Sequence, residues 1–263
     1  MELASGLGFV NMVPMDDAAL RFEVTLRAIS EHVGLRRETT VEAVGVPLWL
    51  ARLHAALPVG DTVRFSLSGE LPVSLDLLLE GAGFSPDNGD LLRLETLPDV
   101  VGPNMRTLVC GLNPSPHAAA SGVGFSHPGN RFWPAAQTAG LTEVANDPHR
   151  ALLRDGVGFT DLVKRTTQRA DEITTHEFEA GASRLQRLVR WLRPESIVMV
   201  GLTGWRQAID ASATAGWQSD LFADTPIYLM PSTSGLNAHE TKESLAEHLR
   251  VVQDQPPIVD RIA

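Results

Sequence analysis

Three short stretches carry the residue types from which a chemical site could be built. Gly111-Leu112-Asn113-Pro114-Ser115 breaks off an apolar run, Leu108-Val109-Cys110, and offers a carboxamide. Such a group can hold and orient a water molecule, but being neutral it cannot remove the water's proton as a carboxylate would. Phe125, in the glycine-rich stretch that follows, offers a flat stacking surface. Ser234-Gly235-Leu236-Asn237, after a second apolar run at residues 227–229, offers a leucine at the tip of a tight turn. Each has a plainer alternative. Asn-Pro is common turn chemistry, a phenylalanine can simply pack beneath a loop, and a leucine after a turn can be core. Metal chemistry is not expected, because the spacing of His117, His127 and His149 fits no common ligand pattern. Cys110 is the only cysteine, which excludes an intramolecular disulfide, a cysteine-rich zinc site and a four-cysteine iron–sulfur cluster. Its mid-strand position reads as core packing.

The elements that must position these groups alternate in type. The run before Asn113 reads as a buried strand, the residues after it as a loop, and a helix is predicted to begin near Asn130. Ligands in open α/β sheets sit where loops leave the carboxyl ends of strands, which puts Asn113 where chemistry usually happens. Further on, residues 157–162, 196–201 and 226–230 read as strands, and residues 175–192, 203–213 and 240–252 as helices. The helix at 175–192 is amphipathic, with Phe178, Leu185, Leu188 and Leu192 on one side and arginines on the other. This alternation predicts a three-layer α/β/α architecture with a mainly parallel central sheet, spanning residues 103–253.

Residues 1–102 read as a separate, accessory α/β lobe: helices at 17–32 and 48–57, a strand at 62–67, a helix at 75–80 and an extended segment at 91–97. Their order faintly resembles the second half of a methyltransferase-like Rossmann fold. However, Gly6-Leu7-Gly8 has no strand before it and cannot serve as a cofactor loop. Residues 99–104 read as the linker and 254–263 as a poorly ordered tail. No basic leader and no apolar run near twenty residues is present, so a cytoplasmic, membrane-free protein is expected. The net charge of −10 is unevenly spread: residues 1–104 hold 15 acidic and 7 basic side chains, whereas residues 105–263 hold 17 and 15. The second part is near neutral and can still present a local basic face to phosphates.

The run GLNPS, then Phe125, His127-Pro128 and Asn130-Arg131-Phe132-Trp133, resembles the first signature of the mismatch-specific uracil/thymine DNA glycosylases, within the uracil-DNA glycosylase superfamily. Met230-Pro231-Ser232-Thr233-Ser234-Gly235-Leu236-Asn237 resembles the second, about 120 residues downstream. The resemblance covers about residues 104–252. It implies a monofunctional glycosylase of base excision repair that hydrolyses the N-glycosidic bond of uracil mispaired with guanine. The partner would be double-stranded DNA carrying a G·U mismatch, the enzyme a monomer, and no cofactor or metal would be needed.

Residue by residue, the resemblance makes Asn113 catalytic and places Leu112, Ser115, Ala118 and Phe125 in the base pocket. A small side chain at Ala118 leaves room for a methyl group, making thymine in a G·T pair a second expected substrate. Gly235, Leu236 and Asn237 would plug the duplex and read the orphaned guanine, although Ser232-Thr233 stands where many relatives have Asn-Pro. His127, Asn130, Ser232 and Ser234 would support the loops, and Lys164, Arg165 and Arg169, with His239, would contact phosphates. Two rivals remain open: a lesion-binding protein without catalysis, and a nucleotide-cofactor enzyme using the N-terminal lobe.

Overall fold

The structure, a computed structural model, describes residues 23–254. The expected tail beyond Asp254, the Gly6-Leu7-Gly8 run and the first part of the helix expected at 17–32 lie outside the described residues. The remainder of that helix is a strand, β1 (Glu23–Ser30), whose inward residues Val24, Leu26 and Ala28 alternate with outward ones. Leu20, Val24 and Ile29 fit a helical period equally well, and the alternation decided the outcome. A tight turn closed at Gly34 pairs it in full register with β2 (Leu35–Glu42), a largely polar strand. Then come α1 (Val46–Ala56), β3 (Thr62–Ser68), α2 (Leu75–Ala82), β4 (Phe84–Asp87) and β5 (Asp90–Arg93). The Ser74 hydroxyl caps α2.

These strands form one sheet of order β2-β1-β3-β5-β4 in which every pairing is antiparallel. That corrects the methyltransferase-like reading, since a Rossmann half needs parallel strands joined by crossovers. The lobe is α/β, as expected, with Leu50, Leu53, Leu78 and Leu79 of its helices buried alongside Val24 and Leu26.

The second sheet is the one that positions the site. Its strands are β6 (Thr107–Gly111), β7 (Val157–Asp161), β8 (Ser196–Val200), β9 (Gly216–Trp217) and β10 (Ile227–Met230), in the order β7-β6-β8-β10-β9. All pairings are parallel except that of the short β9 with β10. The β6, β7, β8 and β10 strands are buried throughout, as apolar parallel strands covered on both faces should be. Between and after them run α3 (Pro116–Ser121), α4 (Phe132–Ala139), α5 (Pro148–Arg150), α6 (Thr175–Leu192), α7 (Leu202–Ala208) and α8 (Lys242–Asp254). The short α5 continues into a π turn at Ala151–Asp155. The mixed α/β fold with a mainly parallel sheet is therefore the one expected.

Because β6 lies between β7 and β8, the chain leaves it in one direction and later returns on the other side. That is a topological switch point, and the crevice outside the carboxyl ends there is the usual ligand position. Two details depart from expectation. Asp99 and Val100 do not form a free linker: Val100 pairs with Phe159 at the edge of β7, with N–H···O distances of 2.9 Å in both directions. Arg184 is not on the outer face of α6 but fully buried, next to Leu185 and one turn from Leu188. No helix among the described residues is long and apolar enough to cross a membrane.

Candidate active site

Asn113 follows β6 directly, at the crevice. Its Nδ2 donates to the backbone oxygens of Pro114 (3.2 Å) and Arg165 (3.0 Å) and to Thr167 Oγ1 (2.8 Å). Carbonyl oxygens can only accept, so the amide nitrogen must face them, and the orientation of the carboxamide is fixed by chemistry. The Thr167 hydroxyl proton goes to Arg169 O at 2.9 Å, leaving its lone pair for Asn113. Among the described residues nothing donates to Asn113 Oδ1, which stays available as an acceptor on a half-buried side chain.

Phe125 stacks on Phe132, with ring centroids 4.4 Å apart and planes 27° from parallel. Its backbone has φ +60°, a left-handed conformation that costs a bulky residue roughly 1–3 kcal/mol and that clusters at functional sites. The ring reaches Gly111: a Cβ built there would lie 3.3 Å from Phe125 Cζ and 2.3 Å from Asp161 Oδ1. Only glycine permits that approach. Asp161 itself ends β7 opposite Gly111. Burial pushes its carboxyl up to about 6; Lys164 and Arg184 oppose this, and Asp99 adds to it. The carboxyl therefore changes charge just below neutral pH, beside the stacking ring.

The leucine turn leaves β10 and packs on the loop that carries Phe125. Arg131 donates its backbone N–H to Thr233 O (2.9 Å). Its guanidinium donates to Ser234 O (2.7 Å), Asn237 O (2.6 Å) and Glu240 O. A Cβ on Gly235 would stand 2.7 Å from Gly129 O, so the turn can dock only with glycine there. Ser232 Oγ accepts from Ser234 N–H and Ser234 Oγ from Leu236 N–H, both at 3.3 Å, which folds the turn on itself. At its tip Leu236 is 95% exposed, the most exposed large apolar side chain among the described residues. On the opposing loop Asn130 Oδ1 accepts from Phe132 N–H (2.9 Å), and His127 O accepts from Asn130 N–H (2.7 Å).

Residues 98–254, more than half of the chain, match the profile of the uracil DNA glycosylase superfamily. The chain belongs to that superfamily. It is thereby a hydrolase of DNA glycosylase type. It is also similar to the solution NMR structure of a candidate uracil DNA glycosylase from Methanosarcina acetivorans, with 19% identity, 60% of this chain and 98% of that chain covered, and a TM-score of 0.41.

Within this superfamily member, the structure brings Asn113, Phe125, Gly235 and Leu236 to one end of the sheet and alters the part of several other expected residues. Ser115 caps α3 by accepting from Ala118 N–H (3.2 Å), and Ala118 is buried on that helix. Leu112 is half-buried behind Asn113. The Asn237 amide, expected to read the orphaned base, instead closes its own loop, donating to Ser232 O (2.9 Å) and accepting from His239 N–H (3.2 Å).

Lys164 is no phosphate ligand: its side chain is 8% exposed, with Nζ 2.9 Å from Asp99 Oδ1. Arg165 forms a two-pronged pair with Glu177 (2.6 and 3.0 Å), and Arg169 pairs with Asp171. The basic segment is thus largely neutralised by nearby carboxylates, a pattern hidden from a reading of local charge.

Sequence reasoning missed Asp161, Thr167 and Arg131. Arg131 lies inside the first signature, and that was its only signal. The weight of the other two comes from contacts across strands and loops, which no spacing rule reports. Among the described residues no cluster of three or more His, Cys, Asp or Glu could hold a metal ion.

Proposed function

We propose that this protein is a monofunctional, mismatch-specific glycosylase that hydrolyses the N-glycosidic bond of uracil paired with guanine in duplex DNA. The observation that carries the reading is the Asn113 carboxamide, pinned through its nitrogen with its oxygen free at the switch-point crevice. A base within a duplex has its glycosidic bond out of reach, so the nucleotide must first swing out into a pocket. Phe125 would stack on the extruded pyrimidine, and Leu236, fully offered to solvent on a clamped turn, would fill the gap left in the duplex. Mismatched bases cost less to unstack, and this favours lesions before any chemistry.

Asn113 Oδ1 would accept from a water and aim it at the anomeric carbon. Since a carboxamide does not remove a proton, bond breaking runs ahead of attack, the sugar gains oxocarbenium character, and placed dipoles do the stabilising. Negative charge builds on the departing base. A protonated Asp161 can donate to it, whereas an ionised one would repel it. No step is assigned to a metal or cofactor.

Incubation with labelled duplexes carrying G·U, A·U or G·T, and with single-stranded uracil DNA, followed by alkali cleavage, tests this reading. Cleavage strongest at G·U supports it. Equal cleavage of every uracil substrate would remove the mismatch specificity, and no cleavage at all would favour a lesion-binding protein.

A further inference from the structure

The carboxamide of Asn113 is aimed by Arg165 O and Thr167 Oγ1, so whatever holds residues 164–167 also holds the carboxamide. Within this segment the Arg165 carbonyl and the Thr167 hydroxyl face Asn113, whereas the Lys164 carbonyl and the Thr166 hydroxyl face the chain that leaves the accessory lobe. There Thr96 Oγ1 donates to Lys164 O. Thr166 Oγ1 donates to Glu95 O at 2.8 Å.

Glu95 and Thr96 precede the superfamily match, which begins at residue 98. They are tied into the accessory lobe through their neighbour Leu94, whose N–H donates to Gly83 O (2.9 Å) just after α2 and whose carbonyl contacts His54 Nε2 (3.1 Å) on α1. Thr96 is buried, so its hydrogen bond is not shared with bulk water and its loss would leave Lys164 O without that donor.

We propose that Thr96 and Thr166 are positioning residues for base release. Their two hydroxyls couple the accessory lobe to the loop that orients Asn113, so the lobe is a working part of the catalytic apparatus and not an appendage. The proposal rests on the water-orienting role given to Asn113 above. Valine keeps the shape of threonine and removes the hydroxyl, which makes Thr96→Val with Thr166→Val the informative pair.

In the full chain, this double variant is expected to slow single-turnover uracil release from G·U duplex by about 10- to 100-fold, the range that a displacement near 1 Å produces. Affinity for a duplex with an abasic analogue opposite guanine should stay within about twofold, because no DNA-facing residue changes. Amide exchange at residues 164–169 should quicken, Thr96→Ser should restore the rate lost in Thr96→Val, and in an Asn113→Ala background the two valines should cause no further slowing.

Equal slowing with and without Asn113, or loss of rate and affinity together, would overturn the positioning role. Unchanged amide exchange would overturn the bridge itself, whatever the activity. A wild type that released no uracil would instead overturn the glycosylase reading and the catalytic half of this proposal, and exchange alone would then decide whether the bridge anchors the loop.

Discussion

The Asp161 carboxyl gives a prediction whose size and sign can both be worked out. Its pKa is raised from 3.8 to about 6 in the folded protein, first by burial. The folded state therefore binds its proton more tightly than the unfolded state, and stability falls as pH rises between those two values. Above pH 6 the native protein carries an ionised buried group at a cost of about 3 kcal/mol. Protonation at pH 5 relieves about half of that cost.

Asp161→Asn keeps the shape without the charge, so it should stabilise the protein at pH 8, and its advantage should shrink by about half at pH 5. Urea unfolding of both proteins at the two pH values measures this directly. If the difference between variant and wild type did not change with pH, or if the variant were the less stable at pH 8, then Lys164 and Arg184 would outweigh burial and the reasoning would fail.

The same group makes a kinetic prediction: single-turnover base release by the wild type should fall as pH rises through about 6, and the profile of Asp161→Asn should be flat across that range. Leu236→Ala should leave the urea midpoint unchanged, since the side chain is 95% exposed, yet weaken G·U duplex binding about 10- to 100-fold in a fluorescence titration, the value of burying one leucine. Arg184→Met should destabilise by about 3–5 kcal/mol in urea, because Asp99, whose carboxyl is held low by Arg184 and Lys164 against the push of burial, keeps only one cation. The small side chain that the family resemblance puts near the base, Ala118, predicts slower but measurable thymine release from G·T duplex, read by the same alkali cleavage.

The parts of the fold that were legible share one physical cause. The β6, β8 and β10 strands are buried on both faces, so their sequences are nearly unbroken apolar runs stopped by glycine or proline, and α6 carries a full capping box and an apolar stripe. The β2 strand was invisible because LRRETTVE, with no fully buried residue, shows no hydrophobic alternation. The β1 strand was misread because its apolar residues satisfy two periods at once.

In the site, Asn113, Phe125 and Leu236 were legible because each stands out locally, beside a proline, a glycine-rich loop or a tight turn. Asp161 was not, since nothing around it in sequence reports that its buried carboxyl fills the space a side chain on residue 111 would need. Lys164 misled for the same reason: its partner Asp99 is 65 residues away, and charge read along the chain cannot see it.

The central claim is that the carboxamide at residue 113 orients the water that completes base release. Single-turnover uracil release from G·U duplex, measured side by side for wild type and Asn113→Ala, tests it most directly. The account predicts release by the wild type, a loss of at least about 100-fold in the variant, and duplex affinity retained within a few-fold. Release by the variant at the wild-type rate would contradict it.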